Sequence, residues 1–549
     1  MASLNPNTGI LGQKFAKHLL RRASFVYSKA VIDQFALLTP NQALNLLFVD
    51  APLTLNLPYD PLPTTAPDGF WTQSTNAPGS FQGQSRKANN VTGWWWFNAI
   101  NSPTLKYKLS HFLSTRFTVE KNNGVGPATI FYDHIRLLLF YSFGNYKTLA
   151  KKMTLDNGML AYLGNTFNVS SAPNENYARE FLELFTIGKG PQIGIGNYTN
   201  YTENDIVQAT KILTGFKVKS DRLLVDATTG IPKGYNVFSQ HSTAPKVFSA
   251  AFGNTTISPA STATAMDTEL NSFVEMVFSQ MATAKNICRK LYIYFVKATI
   301  TAEVETDIIT PLAQLLYNNN YEIAPVVRKL LESQHFYDLD DGNANDETIG
   351  GIIKSPLQQL SEIVSYFKAT IPDPTSNPNG FYISFWNSFV ETSYFVGSNM
   401  IVFDPDNVAG HLAYYQTPSF DKNWIAASTL IARYRLGESL LEAKNKIAGN
   451  ATIIAKIDIV LVVKNGNLFS NPSDPFILTS EICAAIFGQI PNADRVNYFM
   501  NAFLLQQLAP FYWTDAWIAY LTNNNLSVVE PRLKLLVSKI LSAPESQIY

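Results

Sequence analysis

The sequence predicts a mainly α, multi-helical globular protein with long irregular insertions and at most a small β element. Apolar residues recur at three- and four-residue spacing along most of the 549-residue chain. Hydrophobic residues make up 46% of the chain and aromatic residues 13%, which is enough for a large core. Strand-like runs are scarce and short, as at 217–226 and 458–463. These observations together favour a helical protein.

The helical periodicity falls into segments that are separated by turn-forming residues. Thr202 and Asp205 match a helix-capping pattern just where one of these segments begins. The predicted helical segments are 10–36, 41–48, 102–117, 128–153, 173–188, 203–214, 263–296, 302–317, 322–335, 354–368, 424–448, 477–490, 495–508 and 526–542.

Changes in composition divide the chain into three regions. Residues 1–370 form a predicted helical core with insertions near 51–92 and 218–262, where Pro, Gly, Asn, Ser and Thr cluster. Residues 371–423 are rich in aromatic residues and turn formers, which predicts a loop region packed on the core. Residues 424–549 return to helical periodicity and are predicted to form a C-terminal helical region.

The charge balance limits the classes of partner. Lys and Arg number 42 and so do Asp and Glu, so the chain lacks the basic excess that nucleic-acid binding requires. No apolar run is long enough to cross a bilayer, so we predict no transmembrane segment. The first residues contain no signal peptide, which favours the cytoplasm, whereas the low charged fraction of 15% favours an exported or envelope protein.

The cysteines and histidines do not form a recognisable metal motif. Cys288 and Cys483 each lie in an apolar helical run, so buried free thiols are expected, with a single disulfide as the alternative. The chain contains no Cys-x-x-Cys, His-Glu-x-x-His, phosphate-binding or nucleophile-elbow motif. We therefore predict no metal ligands, and the sequence identifies no cofactor.

The predicted helix 173–188 carries the densest set of polar side chains. A helical projection places three carboxylates, an amide and a guanidinium on one side and an apolar seam on the other. These polar residues are Glu175, Asn176, Arg179, Glu180 and Glu183. Two interpretations are open. The face is either a solvated surface with modest Glu–Arg pairs or, if other segments cover it, a functional site.

Two aromatic segments are further candidates. Trp94, Trp95 and Trp96 predict either a core anchor, which is favoured, or an exposed binding platform. His411, Tyr414 and Tyr415 follow Gly410 in a loop-like context, where polar and aromatic residues often bind ligands; a hydrogen-bonded packing role is the alternative.

Several segments together resemble the large bacterial family known as domain of unknown function 1800. They span roughly residues 10–440 in the same order as in the family. The matching segments are His18 to Phe25, Asn174 to Glu180 with Glu183 to Gly188, Tyr201 to Asp205, Leu213 to Phe216, His241 with Lys246 and Phe248, Arg289 to Val296, and Asp406 to Gly410 through Trp424 and Leu430.

The resemblance implies a mainly helical fold, an envelope or exported location, and a frequent genomic neighbour of the alkaline-phosphatase and sulfatase superfamily. It implies no established reaction. The chain departs from the family pattern where many members have Trp-His-x-His-Phe, since it has Leu113-Ser114-Thr115-Arg116-Phe117. Ser242 and Ala244 also replace an Asp and a Gly that follow His241 in the pattern.

Two functional hypotheses follow, and whether the protein is an enzyme stays open. The favoured one is a helical scaffold or binding protein of a bacterial envelope or exported assembly, with a protein partner that the resemblance suggests is phosphatase- or sulfatase-like. The alternative is a hydrolase or metal-dependent enzyme that uses the acidic face of 173–188, with Glu175, Glu180 and His241 as catalytic residues. The predicted binding residues are Asn174, Asn176, Arg179, Glu183, Lys246, His411, Tyr414, Tyr415 and Trp424.

Overall fold

The computed structural model describes residues 1–62, 69–73, 81–342, 347–465 and 467–549. Within these ranges the protein is mainly α-helical, which confirms the predicted fold class. Parts of the predicted insertion 51–92, namely 63–68 and 74–80, lie outside the described residues. No helix of the described ranges combines the length and the apolar character that a membrane span requires.

The first half of the chain carries helices α1 to α10. Predicted helices 10–36 and 128–153 are each split in two, because Ser28 and Asn145 cap new helix starts with their side chains. The α-helices are α1 Gly12–Ala23, α2 Lys29–Ala36, α3 Pro40–Leu47, α4 Phe81–Ile100, α5 Lys106–Ser114, α6 Ala128–Phe140, α7 Tyr146–Met153, α8 Asn157–Tyr162, α9 Asn176–Glu180 and α10 Glu203–Ile212.

The second half continues with α11 to α22. Predicted helix 263–296 is likewise two helices. The α-helices are α11 Ala263–Phe278, α12 Met281–Phe295, α13 Ala302–Val304, α14 Thr310–Asn318, α15 Ile323–Glu332, α16 Pro356–Tyr366, α17 Ala427–Glu442, α18 Ile459–Asn465, α19 Pro475–Phe487, α20 Ala493–Phe499, α21 Pro510–Asn523 and α22 Leu526–Leu541.

The β structure of the described residues consists of three two-stranded antiparallel pairs. They are β1 Gln192–Gly194 with β2 Asn197–Tyr198, β3 Phe216–Lys217 with β4 Tyr235–Asn236, and β5 Lys246–Val247 with β6 Thr256–Ile257. Short 3₁₀ helices are found at Trp71–Gln73, Asn165–Phe167, Phe238–Gln240, Ala250–Phe252, His335–Tyr337, Leu412–Tyr414, Phe420–Trp424 and Pro544–Gln547.

Four segments of the described residues are π-helical: Phe181–Phe185, Glu305–Ile309, Asn379–Phe395 and Met500–Leu504. The third corrects the predicted loop region 371–423, because 17 of its residues form one helix. Phe381, Phe385 and Phe389 are buried and lie four residues apart, which is also the spacing of an α-helix, but the turn formers around this segment favoured a loop.

The predicted strand 458–463 is also wrong, since residues 459–463 form the start of α18. The Asp458 side chain accepts a hydrogen bond from the Leu461 N–H at 3.2 Å, which stabilises the first helical turn. The apolar side of α18 packs against α22, so tertiary burial overrides the β propensity of its branched residues.

The predicted core position of Trp94, Trp95 and Trp96 is confirmed, because all three are essentially inaccessible to solvent. They lie on α4, which packs against the π-helix Asn379–Phe395, and the rings of Trp96 and Trp386 are 5.0 Å apart. Buried apolar residues from Ala2 to Ala543 belong to one continuous core. The division of the chain at 370 and 424 stays a prediction.

A buried charged pair attaches this π-helix to the rest of the core. Lys121 donates to both carboxylate oxygens of Glu391, at 2.9 and 3.0 Å, and both side chains are buried. The Thr92 hydroxyl donates to Glu391 at 2.5 Å and accepts from the Trp386 indole at 2.9 Å. The carboxylate is therefore satisfied by groups from two separate segments.

We expect Glu391→Ala to lower the free energy of unfolding by about 3–5 kcal/mol, because it leaves the Lys121 ammonium buried without its anion. Asp50→Ala is the matched control, since Asp50 is 69% exposed in its pair with Lys106; it should cost no more than about 1 kcal/mol. Guanidinium unfolding curves measure both values. Equal losses in the two variants would contradict the assignment of Glu391 as a core anchor.

Candidate functional site

The helix predicted at 173–188 is shorter and less regular than expected. α9 ends at Glu180 and continues as the π turn Phe181–Phe185. Tyr177, Phe181 and Phe185 are buried, as the apolar seam predicts. Thr186 donates its hydroxyl to the Phe181 carbonyl at 2.6 Å, which closes the wide turn. This change of winding alters which polar side chains of the segment meet.

Asn174 and Asn176 fasten the start of α9 to the preceding segment. The Asn174 N–H donates to the Asn168 side chain at 3.0 Å, and the Asn174 side chain accepts from the Asn176 N–H at 3.1 Å. The Asn176 amide group donates to the Leu163 carbonyl at 3.1 Å. Both asparagines therefore have a structural role in positioning the helix; their predicted role in ligand binding stays a prediction.

Arg179 is the centre of a network on the solvent side of α9. Its guanidinium donates to both carboxylate oxygens of Glu203, each at 2.9 Å, and to Glu175 at 3.0 Å. The hydrogen bond to Glu203 raises the pKa of Arg179, and the same bond holds the pKa of Glu203 below its usual value. The side chains of Glu175 and Glu203 stay 53% and 43% exposed, so the network remains accessible.

The expected contact between Arg179 and Glu183 is not present. Glu183 instead pairs with Lys189 and accepts a hydrogen bond from the Tyr201 hydroxyl at 3.3 Å. The π turn that begins at Phe181 adds residues to the turn, so position 183 is no longer stacked one α-helical turn above position 179. Glu203, at the start of α10, takes its place.

Glu180 differs from the other carboxylates of this helix. It is half-buried, and it forms no hydrogen bond or ion pair with the residues that the structure describes. Burial, with a smaller contribution from the negative charge of Glu183, raises the pKa of Glu180 to about 7. A carboxyl group with this pKa can take up or release a proton near neutral pH.

His241 and Lys246 belong to a separate buried cluster around Glu269. The Glu269 carboxylate lies 2.8 Å from His241 Nε2 and 2.5 Å from the Lys246 ammonium, and it accepts from the Ala260 N–H at 2.7 Å. His241 Nδ1 lies 2.8 Å from the Thr214 carbonyl. Burial alone would raise the pKa of Glu269, but these hydrogen bonds outweigh it and lower the pKa.

His241 of this cluster and the Arg179 network lie at opposite ends of α10. Glu203 begins that helix, whereas Thr214, which contacts His241, follows its last residue. Ten helical residues span about 15 Å, so His241 is remote from the guanidinium of Arg179. No hydrogen bond within the described residues joins His241 to Glu175 or Glu180, and their joint catalytic role stays a prediction.

The predicted aromatic residues His411, Tyr414 and Trp424 do come together. The ring of Trp424 lies 5.8 Å from that of His411 and 5.7 Å from that of Tyr414. Tyr414 also lies 5.7 Å from Tyr294, whereas Tyr415 makes no ring contact with a described residue. This aromatic cluster packs against α12 and the 3₁₀ helix Phe420–Trp424.

Two small cavities lie beside this aromatic cluster and share His111. One is lined by Lys108, Tyr294, Tyr414, Asp421 and Trp424, among others. Burial lowers the pKa of Lys108 to about 7, and it raises the pKa of Asp421. The other is lined by His111 and His134, from the consecutive helices α5 and α6, and by His411, from a distant part of the chain.

The sequence does not single out His111 and His134. Neither belongs to a short motif, and more than 250 residues separate each of them from His411. Only the packing of α5 and α6 against the segment after Phe403 brings the three imidazoles to one cavity. Spacing along the chain contains no signal for such a site.

Within the described ranges, no three His, Cys, Asp or Glu side chains are arranged to hold a metal ion. Cys288 and Cys483 are both buried and free, as expected. Burial raises the pKa of Cys483 to about 12 and raises that of Cys288 as well, so neither thiol is activated.

Comparison with known proteins places the sequence in a family. No curated protein and no solved structure matches the chain. A family model described as "Protein of unknown function (DUF1800)" matches residues 18–548. The match covers the motif helix α9, the Glu269 cluster and all three histidines of the small cavity. The chain therefore belongs to the DUF1800 family of proteins of unknown function.

Proposed function

We propose that the protein is a helical scaffold or binding protein that docks another protein of a bacterial envelope or exported assembly. The docking face consists of α9 with its Arg179 network and the neighbouring hairpin β1–β2. The observation that carries the proposal is at the hairpin, where Ile195 is 100% exposed and Ile193 is 67% exposed. Two exposed isoleucines on one short hairpin, bordered by charged residues, are typical of a protein-binding surface.

The hairpin lies directly against the Arg179 network. The side chain of Asn197 accepts a hydrogen bond from the Glu203 N–H at 3.4 Å. Gly196 adopts a left-handed conformation with φ +69°, and a Cβ at this position would come within 2.6 Å of the Glu203 side chain. Only glycine allows this close approach. The apolar tip and the charged network therefore form one continuous surface.

The charges of this surface are mixed. Glu175, Glu203 and Glu183 contribute three carboxylates, and Arg179 and Lys189 contribute two cations, so no strong field of one sign extends from the face. A partner that fits must offer an apolar pocket with polar groups of both signs at its rim. The family resemblance suggests a phosphatase- or sulfatase-like protein from a neighbouring gene as that partner.

We expect the double substitution Ile193→Ser and Ile195→Ser to weaken binding of this neighbouring protein at least about tenfold, since loss of two interface anchors costs more than 1.4 kcal/mol. Isothermal titration calorimetry with the purified pair measures the affinity. Leu37→Ser is the matched control, because Leu37 is 77% exposed on a different part of the chain. A double variant that binds as tightly as the wild type would refute the hairpin as the docking site.

A hydrolytic activity is the alternative function, and the half-buried carboxyl of Glu180 is the observation that favours it. With a pKa of about 7, Glu180 could act as a general base on a water molecule. Arg179, which belongs to the accessible network on the same helix, would orient an anionic group of the substrate.

If the protein hydrolyses a substrate in this way, activity should rise as the pH increases through 7, because the base works only when it is ionised. Glu180→Gln should then lower kcat by at least about 100-fold. The exposed Glu275→Gln is the control for loss of a surface carboxylate. A panel of ester and phosphoester substrates tests the alternative; full activity in Glu180→Gln would exclude it.

A further inference from the structure

A cavity of about 340 Å³ lies between α1, the end of α19 and residues 545–549. Its volume is within the range of about 300–1,000 Å³ that is usual for small-molecule sites in proteins. His18 and Arg21, from the family-like segment His18 to Phe25, belong to its lining. No residue of the proposed docking face does, so a ligand of this cavity is independent of the protein partner.

Arg21 is buried and presents one free nitrogen to this cavity. Its Nε lies 3.2 Å from a carboxylate oxygen of Glu362, and its Nη2 donates to the Ile486 carbonyl at 2.8 Å. Nη1 has no acceptor among the described residues, although protein atoms do not enclose it. Gly488 leaves the space beside Nη1 open, because a Cβ at this position would come within 2.5 Å of that nitrogen. The guanidinium therefore has unused donors at the cavity.

Two lysines of α1 add positive charge to the lining. The Lys17 ammonium donates to the Ala484 carbonyl at 3.0 Å, and its other hydrogens have no acceptor among the described residues. Burial, with a smaller contribution from the positive charge of Arg21, lowers the pKa of Lys17 to about 8, so the ammonium is still charged at pH 7. Lys14 is exposed, and it forms no ion pair within the described ranges.

The carboxylates near these cations do not balance their charge. Glu545 is the one acidic side chain among the described lining residues, and Arg495 already donates to both of its oxygens, at 2.8 and 3.0 Å. Glu362, beside Arg21, also pairs with Lys354 at 2.9 Å, so this carboxylate serves two cations. The backbone carbonyls at the end of α19 carry only partial negative charge. An excess of positive charge therefore remains, and it favours an anionic ligand.

Apolar side chains form much of the remaining lining. They are Ile349, Phe487, Pro491 and Ile548. A ligand that fits both parts of the lining combines an acidic group with an apolar body. Of the common acidic groups, a phosphate monoester carries close to two negative charges at pH 7 and has three acceptor oxygens. It therefore matches three cationic side chains better than a carboxylate with its single charge.

We propose that this cavity binds a small organic phosphate monoester. The phosphate group contacts Lys14, Lys17 and Nη1 of Arg21, and the apolar body of the ligand contacts Phe487 and Ile548. This assignment gives the segment His18 to Phe25 a role in ligand binding, which the docking face does not provide.

Isothermal titration calorimetry of the full-length chain with phenyl phosphate tests the proposal. We expect one equivalent to bind at least about tenfold more tightly than inorganic phosphate, because the phenyl ring buries apolar surface. Phenol lacks the charged group and should not bind measurably. Benzoate has the same ring with a carboxylate, and it should bind more weakly than phenyl phosphate.

Lys17→Gln should weaken the binding of phenyl phosphate about tenfold, because a hydrogen bond to a charged group is lost. Lys217→Gln is the matched control. The ammonium of half-buried Lys217 also donates to a backbone carbonyl, that of Thr166, but Lys217 does not line the cavity. Lys14→Gln, at an exposed position, supplies a second variant if Lys17→Gln fails to fold.

Three results would overturn the proposal. The first is a wild type that does not bind phenyl phosphate at millimolar concentration. The second is a benzoate affinity equal to or higher than that of phenyl phosphate, which would assign the cavity to a carboxylate. The third is an unchanged affinity in the two α1 lysine variants. Failure of the docking face would change none of these measurements, because the two sites share no residue.

Discussion

The bidentate hydrogen bond between Arg179 and Glu203 is the interaction on which the proposed docking face depends. It crosses from α9 to the first residue of α10, and Arg179 reaches Glu175 on its own helix at the same time. An arginine whose guanidinium donates to two carboxylates has little rotational freedom. It therefore fixes the distance between the two helices at this end. Because Glu203 also supports Gly196 and Asn197, the position of the hairpin follows from the same bond.

Three other buried carboxylates of the described chain have charged partners within the protein. Glu391 accepts from Lys121 and Thr92, Glu269 from His241 and Lys246, and Glu362 pairs with Lys354 at 2.9 Å. Such networks specify packing. The half-buried Glu180 has no hydrogen bond or ion pair with the described residues, and for that reason it carries the alternative function.

Local sequence chemistry predicted several elements of the fold. The capping box of Thr202 and Asp205 is present at the start of α10, and the Trp94–Trp96 run is buried as an anchor. Both depend on neighbours within a few residues or on hydrophobicity alone. The π-helix Asn379–Phe395 and the helix α18 were not predicted, because their winding and burial are set by contacts with α4 and α22.

The candidate site was predictable only in part. The exposed face of α9 follows from its helical projection, and the meeting of His411 with Tyr414 and Trp424 follows from their nearness in the chain. Glu203 replaced Glu183 as the partner of Arg179 because a π turn alters the register after Glu180. His134 and His411 line one cavity because of tertiary packing, which no pattern along the chain contains.

Hydrogen–deuterium exchange of the chain, measured alone and with the proposed protein partner, tests the central claim most directly. If α9 and the hairpin form the docking face, residues 190–205 should exchange their amide hydrogens more slowly with the partner bound than in the free chain. The partner would cover amides that are exposed to solvent in the free chain. Slower exchange confined to another exposed apolar surface, such as residues 508–528 with Phe511 and Ile518, would contradict the account.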